Sequence, residues 1–176
     1  RSSDLQVQVL TTQQLGGLNT AQIVQLSSDQ LKVLATDRVA QLSTEQVKAL
    51  SSLQLSALQT SQVVALETQD LAVLSDEQIK SLTATQIAGL TTYQLNNLST
   101  QHIQALDSDQ IAALGASQLA GLAQRHVQAL KSTQIMALAT SSVAQLSTEQ
   151  ISWLDTQQVK SLSASQVAAM SVIQIP

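Results

Sequence analysis

The sequence predicts an all-α fold: a superhelical coil of very short capped helices, one per eight residues. Three observations carry that prediction. Leucine recurs every eight residues from Leu10 to Leu162, and Met170 closes the series. Five residues further on, the slot running from Val7 to Ile175 holds Leu, Ile or Val in all 22 units. Between these two columns lies a helix-start signal, clearest in the octad Leu42-Ser43-Thr44-Glu45-Gln46-Val47-Lys48-Ala49. A short fixed period of this kind is the mark of an array.

One continuous helix is excluded by geometry. At 3.6 residues per turn, eight residues rotate through about 800°, so the apolar stripe would drift by roughly 80° per octad. The helix must therefore break once in each unit. A β-solenoid is the alternative fold, but the first and sixth positions differ by an odd number and would face opposite sides of an unbroken strand. The frequent Ala, Gln, Ser and Glu between them are also poor strand formers.

The octad supplies its own break. With Leu42 as N′ and Ser43 as N-cap, Gln46 falls at N3 and Val47 at N4. That is a capping box, in which the serine oxygen takes the N3 amide and the glutamine side chain returns to the N-cap amide. Leu42 against Val47 is a hydrophobic staple. The pattern repeats at Leu74-Ser75-Asp76-Glu77-Gln78-Ile79 and at Leu146-Ser147-Thr148-Glu149-Gln150-Ile151. A third-position hydroxyl such as Thr36 or Thr44 is the competing cap, and Ala35, Lys131 and Ala139 depart from the second-position rule. A helix of one and a half turns does not stand alone, because nucleation costs more than one turn returns. The first- and sixth-position aliphatics must fill a shared axis, the small eighth position (Ala49, Ala105, Gly121) marks close approach, and the fourth and seventh positions face water.

Charge placement selects about three octads per turn. A 24-residue turn sets Lys131 beside Asp107 and Asp155 and Arg125 beside Glu149, with no like-charged pair in equivalent slots. A 16-residue turn stacks Asp29 on Glu45, and a 32-residue turn stacks Glu45, Glu77 and Asp109; like charges so placed repel. The 32-residue turn also pairs Arg38 with Asp70 and Asp70 with His102. With three octads per turn the array is a rod of roughly 70 Å at ~10 Å per helix diameter.

Along the chain, the first octad is degraded, with Ser2 in the leucine slot and Leu5 in a polar one. From Leu10 the pattern settles. Gly16-Gly17 weakens its helix, since glycine costs about 1 kcal/mol per helical position relative to alanine. Leu53 and Tyr93 place apolar bulk in a solvent slot. Trp153 takes an alanine place and is expected either to fill a void or to project near the C-terminal end. Val172 and Ile173 occupy polar slots in the last octad. Residues 1–176 read as one octapeptide-repeat solenoid, expected to be a piece of a longer array.

Composition narrows the function classes. There is no Cys, the net charge is -4, and Lys plus Arg number 8, which argues against nucleic acid or anionic lipid as a partner. No apolar run approaches the ~20 residues of a membrane span. The fifth position is Gln in 17 of 22 octads, read as a cap or an amide ladder between turns rather than a ligand stripe. Its exceptions are Arg38, Asp70, His102, His126 and Ser142. His102 and His126 lie 24 residues apart and are expected to stack, but two histidines without a third ligand make a weak metal site. No Ser-His-Asp set, phosphate loop or calcium loop is present. No catalytic, cofactor-binding or metal residue is therefore expected.

The motifs Leu-Ser-Thr-Glu-Gln-Val (42–47), Leu-Thr-Ala-Thr-Gln-Ile (82–87) and Leu-Ser-Thr-Glu-Gln-Ile (146–151) resemble the octad arrays of very large secreted or surface-exposed bacterial proteins, including adhesin-like ones. The opening of the octad is also similar to the first helix of the DNA-binding repeats of transcription-activator-like effectors, whose longer period, hypervariable pair and basic character this chain lacks. The first resemblance covers the whole chain and implies a non-enzymatic spacer, stalk or scaffold at an extracellular or cell-surface location. Flanking repeats of the same chain are its expected partners. The alternative is a repeat module that binds a protein or a glycan.

Overall fold

A computed structural model describes Val7 and residues 10–170. Among these, twenty helices run from Thr12–Gly16 to Ala164–Ala169, each four to six residues long and each starting eight residues after the last. No strand occurs among the described residues, so the β-solenoid alternative falls. The readings of Ser2, Leu5, Val172 and Ile173 lie outside the described residues.

Every N-cap is the second octad position, and each adopts an extended backbone. The competing third-position cap is not used: Thr36 and Thr44 are the first helical residues. The break itself is gentle. Helices such as Thr44–Ala49 end on a leucine with φ −60 and ψ 134, followed by a serine with φ −70 and ψ 159. No described residue has a positive φ. Any L-residue tolerates these angles, which is why the array needs neither Gly nor Pro to turn.

The helices stack on their third neighbours. Asp76–Ser81 packs on Ser52–Ala57 on one side and on Thr100–Ala105 on the other, and every strong helix-to-helix contact has this spacing. That gives about three octads per turn. First- and sixth-position aliphatics from Val7 to Ile151 form one continuous core, with the sixth position at its centre. Each such side chain contributes about 1.5–3 kcal/mol on burial, which supplies what the isolated turn lacks. Leu53 and Tyr93 are 72% and 71% exposed, as their slot requires. Trp153 packs partly buried against the core. The small eighth position is used as expected: a methyl on Gly89 would lie 2.4 Å from Thr60 Cγ2, and one on Gly121 would lie 2.4 Å from Thr92 Cγ2.

The charge pairs behind the 24-residue register are not formed. Lys131 Nζ donates to the Gln104 carbonyl at 2.8 Å rather than to Asp107 or Asp155, and the Arg125 guanidinium donates to the Asn96 carbonyl rather than meeting Glu149. Side-chain bonds between turns span 25–31 residues (Gln46 to Leu15 at the long end, Asn96 to Gly121 at the short), so a turn slightly exceeds three octads. Long donors reach back along this stagger to the orphan carbonyls at helix C-termini, where the negative end of the helix dipole lies.

Candidate functional site

The feature that organises the molecule is the fifth-position glutamine, which stands at N3 of its helix. In Gln86, Oε1 accepts the N–H of the N-cap Thr83 at 2.7 Å, and the Thr83 hydroxyl accepts the Gln86 amide at 3.2 Å. The other end of the same side chain faces the preceding turn. Its Nε2 donates to the Leu55 carbonyl at 3.0 Å and to the Leu58 carbonyl at 2.7 Å. One amide thus satisfies an orphan donor at the head of its own helix and, at the tail of another four octads earlier, the orphan Leu58 carbonyl, while sharing the Leu55 carbonyl with the Leu58 N–H.

Twelve described glutamines make the bond to the leucine carbonyl 28 residues back, from Gln46 to Gln166, at 2.5–3.4 Å. Most of these amides are buried. Buried polar groups that are fully bonded stiffen a core and fix its register. The two readings of this column, cap and ladder, are both realised in one side chain.

Five octads depart from the rule, and three of them share a pattern that sequence reading passed over. Ala35, Ala123 and Ala139 are the alanine N-caps, and their N3 residues are Arg38, His126 and Ser142. In these three octads both halves of the reciprocal box are absent at once. Where the N-cap is Gln59, Gly115 or Lys131, N3 remains glutamine and still takes the N-cap N–H, as Gln62 does at 2.7 Å.

Each exception finds its own solution. Ser142 is too short to do both jobs and donates through Oγ to the Leu114 carbonyl at 3.1 Å. Asp70 cannot donate: its carboxylate accepts from Thr44 Oγ1 at 2.8 Å and from the Glu67 N–H at 3.2 Å. It lines a shallow cleft with Leu42, Thr44 and Glu67. His102 imitates glutamine at its head, with Nδ1 accepting the Ser99 N–H at 3.4 Å, while Nε2 lies 3.8 Å from Asp76 Oδ1. Arg38 is partly buried at the head of its helix.

His126 is fully buried. Its Nε2 donates to the Leu98 carbonyl at 3.0 Å, the bond a glutamine would make. Its Nδ1 lies 3.1 Å from Asn96 Oδ1. Asn96 Oδ1 also accepts the Ala123 N–H at 2.8 Å, and its Nδ2 donates to the Gly121 carbonyl at 2.8 Å. Burial pushes the imidazole below its ordinary 6.5; the bond to Leu98 works the other way, and Arg125 adds to the lowering.

The expected stacking of His102 and His126 holds only at the level of their helices, Thr100–Ala105 and Gln124–Ala129, which pack together. The rings themselves turn to different partners. No group of three metal-ligating side chains occurs among the described residues, and none of the described helices is long and apolar enough to cross a membrane. The contacts of Asn96 with Gly121, Ala123 and His126 have one signal in the sequence, an asparagine in a water-facing slot near an octad that lacks both halves of the box.

Comparison with known proteins gives one family. The profile described as the ALTTAQ repeat matches residues 7–44, 63–100 and 94–124, more than half of the chain. No curated protein matches.

Proposed function

The chain belongs to the ALTTAQ repeat family, and from that premise we propose that this helical tandem repeat is a non-enzymatic structural segment, a spacer, stalk or scaffold within a larger exported bacterial protein. The observation that carries the reading is the orientation of the glutamine column. The most uniform polar residue of the repeat directs both its donor and its acceptor into the coil, as Gln86 does toward Thr83 and Leu58. A ligand-binding stripe would present those groups to solvent instead. Flanking repeats of the same chain would extend the structure by the same bonds, since each octad contacts only its neighbours on adjacent turns.

A repeat module that binds a protein or a glycan is the second reading, favoured by the exposed Tyr93 and Leu53, since exposed aromatic side chains are common interface anchors. The two are separated by probing the immobilised chain with a glycan array and with bacterial surface proteins, alongside a Tyr93→Ala variant. A spacer shows no saturable binding. Saturable binding that Tyr93→Ala abolishes would replace the spacer reading with the second one.

A further inference from the structure

We propose that Asn96 and His126 form a proton-operated joint between successive turns of the coil, with Asn96 changing partners as the ring gains or loses its proton. The orientation of the Asn96 amide is fixed from two sides, because Oδ1 takes the Ala123 N–H and Nδ2 donates to the Gly121 carbonyl. Both ring nitrogens of His126 therefore face oxygens, Nδ1 that of Asn96 and Nε2 that of Leu98. A neutral imidazole has one donor and one acceptor, so it satisfies one of these contacts and sets a lone pair against the other oxygen. An imidazolium donates to both.

The molecule contains the alternative arrangement as well. At His102 the ring takes its own N-cap amide, with Ser99 N–H donating to Nδ1. A neutral His126 that adopted this geometry would accept the Ala123 N–H on Nδ1 and keep Nε2–H on Leu98. Asn96 would then lose Ala123 and His126 together, and its side chain would be released to water. The joint thus has two hydrogen-bonded states that differ by one proton and one side-chain bridge.

The charged surroundings are sparse. Arg125 on the same helix lies over the Asn96 carbonyl. Helix Thr100–Ala105 contributes His102, whose ring turns to Asp76, and helix Thr92–Asn97 contributes Tyr93, which is exposed. In the following turn Glu149 is exposed, and Asp155 is held by the Gln157 and Gln158 amides. Burial resists the protonated state and the two oxygens favour it; burial is the larger effect, which leaves the switch below the ordinary 6.5.

The test is an NMR titration of the intact chain from about pH 7.5 to about pH 4.5, following the His126 ring nitrogens, the Ala123 amide and the Asn96 side-chain amide. The expected result is a single shared midpoint for all three, with the ring passing from a neutral Nε2–H form to the doubly protonated form. His126→Gln should remove the pH response of Ala123, and Asn96→Ala should leave the ring titrating while the Ala123 shift falls to a small fraction. A ring that titrates with Ala123 and Asn96 unmoved, or a ring that stays neutral until the coil unfolds, would overturn the proposal.

Discussion

At the residue scale the buried glutamine amide is the unit of stability. Gln86→Ala orphans the Thr83 N–H and the Leu58 carbonyl, and each buried unsatisfied group costs about 1–3 kcal/mol. We expect a loss of about 2–4 kcal/mol in denaturant unfolding. Gln86→Glu is the sharper probe. It keeps the acceptor for Thr83 and sets the second carboxylate oxygen against the Leu55 and Leu58 carbonyls, so only the protonated acid can donate to them. Its folded-state pKa must rise, and its stability should be highest near about pH 4 and fall as pH rises. Equal loss at both ends of the range would refute the donor role. His126 has the opposite sign. Its pKa is lowered in the folded state, so the stability it contributes is complete above its ordinary 6.5 and declines as pH falls below that. The wild-type unfolding midpoint should drop between about pH 7 and about pH 5, and His126→Gln should flatten that part of the curve.

At the element scale each helix is a single turn whose ends are completed by other residues. Octad 138–145 has neither half of the box, with Ala139 as N-cap and Ser142 at N3. Ala139→Ser restores a cap, worth about 1 kcal/mol. Ser142→Gln brings a donor within reach of the Leu114 carbonyl and an acceptor to the Ala139 N–H. The double variant should gain about 1–2 kcal/mol and exceed the sum of the singles, because the box is reciprocal. Strict additivity in a double-mutant cycle would show that the two positions act independently. The pairing of Ala35, Ala123 and Ala139 with non-glutamine N3 residues was legible in the sequence as a correlation. What it means became clear only once both ends of the glutamine were located.

At the scale of the whole molecule the coil is a one-dimensional lattice, in which each octad meets the ones three and four units away. The octads share one slot pattern, so removing one whole unit changes which octads meet but not which slots meet. Deletion of residues 82–89 should therefore leave helicity per residue by circular dichroism unchanged and the unfolding transition still cooperative. Deletion of Thr83 alone should cost far more, because the Gln, Leu and Ile of the next three to four octads slip by one slot relative to the turn below, whose bonds to them span 28–31 residues. If both deletions proved equally damaging, the lattice description would fail.

The sequence by itself determined the period, the core columns and the class of fold, and narrowed the cap to two neighbouring positions, of which the structure uses the second. All of these act within one octad, and capping, stapling and the 3.6-residue turn are local enough to be read from eight residues. It did not determine the stagger between turns, the target of the glutamine Nε2 or the Asn96–His126 contact. Those bonds join residues 28–31 apart, and their spacing follows from how far each linker bends the axis when aliphatics of three successive helices share one centre. The few surface charges were a poor guide to that spacing, since solvent-exposed pairs are worth little; Lys131 found a backbone carbonyl instead. Packing at the axis sets the pitch, and the polar side chains take whichever orphan groups the pitch brings opposite them.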